Sequence, residues 1–169
     1  MTSPIISLNR IRAILILAFF FFASPTVSAD RADGPFAALI GSWSGSGTIL
    51  LSNGAKERIR CQAKYRLGSS TTNLRLELSC ESDSYKFQLQ SQVSYSEGII
   101  SGIWDETTRA TGGSIEGRVA GNQMRVRADG QTFTAILSVT TRGERQSISI
   151  QSPGSEMSDV TIVLTRVTR

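Results

Sequence analysis

The sequence contains no histidine. That absence excludes imidazole zinc sites, histidine-ligated haem, and serine or cysteine nucleophiles worked by a histidine base. Aromatic residues are scarce at 7%, and four of the seven phenylalanines fall in one early run, Phe19–Phe22. The chain has only two cysteines, with no C-x-x-C spacing between them. Gly45–Gly47 and Gly112-Gly113 lack the strand-to-helix setting and following lysine of a phosphate loop. No serine sits in a nucleophile elbow. Lys56, Lys64 and Lys86 have no local motif that suggests a serine–lysine pair. Among the carboxylates, Asp105 and Glu106 are adjacent on a strand and point to opposite faces, a poor pair for acid/base work, and they read as a solvated loop. The chain is read as a non-enzyme, with no cofactor and no metal.

What is present begins with an address. Arg10 and Arg12 precede the apolar run AILILAFFFFA, and Val27-Ser28-Ala29 places small residues where a signal peptidase reads. The run is too short to span a membrane comfortably, so an uncleaved anchor is the weaker reading. Residues 1–29 are assigned as a signal peptide, 30–40 as an N-terminal lead-in, and 41–169 as a single barrel domain. The exported chain is expected to be periplasmic or secreted. Two of the 18 basic residues leave with the leader, against 14 acidic ones, so the net charge falls from +4 to about +2. That balance gives no footprint for nucleic acid. No amphipathic helix suggests a membrane role, no stable membrane insertion is expected, and the protein is expected to be a monomer.

Cys61 and Cys80 therefore enter a compartment where disulfides persist. Ile59, Cys61, Ala63, Tyr65 and Leu67 alternate with charged or polar neighbours, as do Leu74, Leu76, Leu78 and Cys80. These are two half-buried strands. Folded as a hairpin with Leu67 opposite Leu74, they bring Cys61 opposite Cys80 on the apolar face. Directly opposed residues at a non-hydrogen-bonded site are close enough for a disulfide.

The same period-two pattern runs through almost the whole remainder. A first strand covers Ser42–Leu51, and Asn53-Gly54 marks a hairpin. Tyr85, Phe87, Leu89, Ser91, Val93 and Tyr95 line one face of a fourth strand. Glu97-Gly98 turns the chain into Ile99–Glu106. Strands follow at Gly113–Ala120, Gln123–Ala128, Gln131–Thr140, Glu144–Gln151 and Asp159–Val167, with turns at Gly121-Asn122, Asp129-Gly130, Gly143 and Pro153-Gly154. The lead-in reads as a short, helical segment whose Pro35, Phe36 and Leu39 cover an apolar surface. Short local connections favour an all-β, antiparallel up-and-down barrel of about eight to ten strands with one disulfide over a β-sandwich, because closure also removes sheet edges. The expected core includes Trp43, Ile49, Ile59, Tyr65, Leu76, Leu78, Phe87, Leu89, Ile103, Phe133, Leu137, Ile148, Ile162 and Leu164.

The segment Gly41-Ser42-Trp43-Ser44-Gly45-Ser46-Gly47 resembles the G-x-W opening of calycins, the lipocalins, fatty-acid-binding proteins and avidins. With its added glycines it looks most like the first strand of nitrobindin-type barrels. The resemblance implies a barrel-closing pair in which Arg166, on the last strand, packs over the Trp43 ring. The haem chemistry of nitrobindin-like proteins does not carry over, since this sequence lacks the ligand histidine. Read from the residues alone, Trp43 is a core aromatic, and Gly45 and Gly47 permit close strand approach.

Two functions fit such a chain. The first is binding of a small hydrophobic or amphipathic ligand in the interior, with Tyr65, Phe87, Trp104 and Phe133 as candidate lining residues. It requires small residues such as Ala63, Gly102, Gly117 and Ala135 to face inward. The alternative is a filled barrel that acts as an inhibitor-like module on an envelope protein partner, through loops or an arm around Asp30–Phe36.

Overall fold

The computed structural model describes residues 34–168, so the signal-peptide assignment lies outside the described residues. Ten strands follow one another: β1 (Gly41–Leu51), β2 (Lys56–Leu67), β3 (Asn73–Glu81), β4 (Lys86–Ser96), β5 (Ile99–Glu106), β6 (Thr111–Ala120), β7 (Gln123–Gly130), β8 (Thr134–Arg142), β9 (Arg145–Gln151) and β10 (Met157–Arg166). Each pairs antiparallel with the next, and β10 returns to β1 to close a barrel. The sandwich alternative is thereby excluded.

Alternation is what forms these strands. In β2 the burial pattern runs strictly exposed–buried from Arg58 to Arg66, with Ile59, Cys61, Ala63 and Tyr65 inside. Burying one face against a common core repays the ordering of the backbone, and a one-residue slip would turn every apolar side chain outward. The β2–β3 register follows, with Leu67 opposite Leu74 and Cys61 opposite Cys80. The two cysteines form a disulfide across a Cα–Cα distance of 4.2 Å, inside the core. Outward positions are charged or polar for the most part, unlike the apolar belt of a lipid-facing barrel.

Turns explain the tight hairpins. Glu97 and Gly98 join Ser96 to its partner Ile99 with both residues at positive φ, the twist that matches the flanking strands. Asp129-Gly130 does not turn. Both residues stay in β7, and the chain reverses over Gln131–Phe133, where the Gly130 amide donates to the Phe133 carbonyl at 2.9 Å. The Asp129 carboxylate is held by Arg127 Nε at 2.8 Å and by the Thr134 hydroxyl at 2.7 Å, so it ties β7 to β8 instead of closing a local turn.

Three other expectations need correction. The lead-in is a pair of turns, not a helix: Ala37 N–H donates to Gly34 O and Leu39 N–H to Phe36 O, both i to i−3 bonds. Ile103 is not core but 55% exposed. In β5 the inward set is Ile100, Gly102, Trp104 and Glu106, because the large indole takes the buried parity and leaves Ile103 outside. Glu106 is accordingly not solvated: it is 5% exposed, on the same face as Trp104.

Candidate functional site

The two ends of the barrel are built differently. At one end lie the start of β1, the finish of β10 and the β2–β3, β4–β5, β6–β7 and β8–β9 connections. The Gly34–Ile40 segment crosses this end and plugs it. Phe36 is fully buried and meets Tyr95 edge-on, with centroids 6.2 Å apart. Trp43 Nε1 donates to the Leu39 carbonyl at 2.7 Å. Arg166 lies over the Trp43 ring, its guanidinium carbon 4.2 Å from the centroid. The same guanidinium donates to the carbonyls of Ile40 and Ala38 and pairs with Glu144 at 3.0 Å. A single cation thus ties the plug, the first strand and the β8–β9 turn together.

Just inside the plug is a buried polar relay. The Tyr65 hydroxyl donates to Gln146 Oε1 at 2.9 Å, and Gln146 Nε2 donates to the Thr141 hydroxyl at 3.1 Å. Burial pushes the Tyr65 hydroxyl's pKa well up, against the smaller opposing effect of Gln146, so it remains a neutral donor. All three side chains are buried and partnered, which makes the relay part of the core and not a reactive centre.

The far end carries the other three candidate residues. Phe87 follows the β3–β4 connection, Trp104 lies near the finish of β5, and Phe133 precedes β8. Trp104 and Phe133 pack with centroids 5.5 Å apart, above Gly130, where an added Cβ would lie 3.1 Å from both rings. Tyr65, with its hydroxyl in the relay and its strand partner Gly41 beside the plug, sits at the opposite end. The structure therefore packs Trp104 against Phe133, places Phe87 at the same end of the barrel, and separates Tyr65 from them.

Glu106 was missed as a structural residue, although its place two after Trp104 was a signal for the inward face. Its carboxylate accepts the backbone N–H groups of Gln88 (2.9 Å), Thr108 (3.0 Å) and Arg109 (2.8 Å), and the Thr108 hydroxyl. Burial pushes the carboxyl's pKa up, but those hydrogen bonds outweigh it and hold the pKa below the usual range. A depressed pKa in the folded state contributes stability above the unfolded value, near 4.3, that is lost as pH falls through the folded value. Wild type is therefore expected to exceed Glu106→Gln in stability near neutral pH, with the gap narrowing in acid. Urea midpoints measured for both proteins across that range test it, and a gap independent of pH would refute the ionised role.

The inward small residues are of two kinds. Ala63 and Ala135 are buried and face the interior. At Gly102 an added Cβ would meet the Gln92 carbonyl oxygen at 2.1 Å, and at Gly117 the Arg125 carbonyl oxygen at 2.3 Å. The missing side chains there are taken up by neighbouring backbone and leave no spare room. Outside the barrel, a hollow of about 600 Å³ lies over β1–β4, bordered by exposed Ser44, Gln62, Lys64, Glu77, Gln88 and Gln90. No group of metal-ligating side chains occurs among the described residues.

No protein-family model matches the chain, and no curated protein matches it. Solved structures of similar shape do exist. The crystal structure of Rv2717c from M. tuberculosis has a TM-score of 0.63 at 16% identity, covering 78% of this chain and 94% of that one. The S-type phycobiliprotein lyase CPES from Guillardia theta has a TM-score of 0.60 at 8% identity, covering 79% and 91%. What this chain shares with both is its fold, a closed antiparallel β-barrel.

Proposed function

We propose that this protein is an exported, non-catalytic barrel that takes a small apolar or amphipathic molecule into its interior through the far end. One observation carries the reading. Leu51, Phe87, Leu89, Phe133, Leu137 and Ile150 all belong to the far half and sit on or beside the inward face, yet each is only partly buried. They pack against the core from that side, and a ligand that covers their remaining exposed surface gains about 25 cal/mol per Å² of apolar area. The opposite end is stoppered, so entry is from one side. The carboxylates at the far end are already engaged: Glu106 by loop amides, Asp129 by Arg127, and Glu57 by the Ser82 hydroxyl. That engagement argues for binding over catalysis, and the resemblance of the first strand to calycins points the same way.

Of the two routes open to the protein-partner alternative, loops or an arm around Phe36, the arm is taken up, since that side chain is fully buried in the plug. Native mass spectrometry of the protein purified from its own cells is the test. A stoichiometric small molecule, released on denaturation and displaced in Leu137→Trp, is the expected result. A clean apo mass, with no uptake of a neutral hydrophobic dye, would overturn the reading.

A further inference from the structure

Among the described residues the interior holds no free cation, and we infer that it selects uncharged molecules and rejects carboxylates. The inference rests on the ligand-binding reading above and names the class of ligand. Every lysine on the strands, and every strand arginine except Arg166, occupies an outward, exposed position. Arg166 shares the inward parity of Ile162 and Leu164, but its guanidinium is committed to Glu144, two plug carbonyls and the Trp43 face. It lies at the stoppered end, away from the route of entry.

The far end is rich in carboxylates, and a cation among them, Arg109 of the β5–β6 connection, is paired with Glu106 at 3.7 Å. Glu57 is on the inward face of β2 with Ile59 and accepts from the Ser82 hydroxyl at 2.7 Å. Glu156 accepts from the Tyr85 hydroxyl at 2.7 Å. Glu106 and Asp129 are further carboxylates there, Glu106 saturated by the amides of Gln88, Thr108 and Arg109 and Asp129 paired with Arg127. An anionic ligand would pass these groups and then reach apolar walls with no counter-ion, and burying an unpaired carboxylate is costly. An uncharged polar head meets a different surface. Ser91 faces inward between its strand partners Leu76 and Trp104, and its hydroxyl can both donate and accept. Three further inward polar side chains, Tyr65, Gln146 and Thr141, are occupied with one another.

The test is calorimetric titration of the protein with medium-chain n-alcohols and with the carboxylates of matching length, near neutral pH. The expected result is saturable binding of an alcohol and at least a roughly tenfold weaker affinity for its carboxylate. Glu57→Lys, which places a cation on the inward face at the mouth, is expected to strengthen carboxylate binding and leave the alcohol's affinity unchanged. Equal or tighter binding of the carboxylate by wild type would overturn the selection while leaving ligand binding intact. Binding of neither series would overturn the ligand-binding reading and the selection with it.

Discussion

Gly47→Val is expected to destabilise the barrel by about 3–5 kcal/mol, the range of the most damaging single substitutions. A Cβ at Gly47 would lie 2.0 Å from the Thr161 carbonyl oxygen and 3.0 Å from the Ile162 Cα. Both atoms belong to the backbone of β10, so no rotamer change relieves the contact. Relief requires β1 and β10 to separate, and theirs is the pairing that closes the barrel. Gly45 stands in the same relation to Val163, with a carbonyl oxygen also 2.0 Å from its Cβ position. Gly54 supplies the control. It has φ of +83° in the β1–β2 turn and no atom within 4 Å of an added Cβ. Gly54→Ala should therefore cost only the left-handed backbone penalty, about 1–2 kcal/mol. Urea midpoints rank the two variants, and a Gly47→Val protein as stable as Gly54→Ala would remove close strand approach as the reason for the glycines.

Removing the disulfide, as Cys61→Ala with Cys80→Ala, is expected to cost about 3 kcal/mol through the freed unfolded chain. The link spans 19 residues of sequence and joins directly opposed positions of one hairpin. Because both side chains are 2–3% exposed, a reductant cannot reach the sulfurs without opening of the β2–β3 pair. Dithiothreitol should thus reduce the native protein slowly and the urea-unfolded protein at once, as read by thiol labelling and mass. An unchanged urea midpoint in the double variant would refute the stabilising role. Rapid native-state reduction would refute the burial.

The cysteine pairing shows why some of this fold is legible in a single sequence. Alternation on both sides of a short connection admits one register that buries both apolar faces, and that register also opposes the cysteines. The Glu97-Gly98 and Gly121-Asn122 turns were equally plain, since each needs residues that tolerate positive φ at a fixed place. Strand β5 was ambiguous for a local reason. Ile99, Ile100, Ile103 and Trp104 put apolar side chains on both parities, and pattern alone cannot say which parity faces in. The choice is made across the sheet, where Trp104 lies opposite Ser91 and Gly102 opposite Val93, both on the inward side of β4. Glu106 follows Trp104 inward and finds its partners in the next loop and at Gln88 of β4. Asp129-Gly130 failed as a turn for a similar reason, because Arg127 and Thr134 compete for the carboxylate that would otherwise cap the turn.

The sequence by itself determined an antiparallel meander of about eight to ten strands, the register of the cysteine-bearing hairpin and the cysteine pair, because all of these are relations between neighbouring segments governed by side-chain alternation and turn chemistry. Tertiary structure alone decided which end of the barrel is stoppered and which aromatic residues stand together. Closure of β10 on β1 brings Arg166 to Trp43 across more than a hundred residues, and the plug then sets Tyr65 apart from Phe87, Trp104 and Phe133. Those placements depend on strand tilt and closure summed around the whole barrel, a property that no local window of the chain contains.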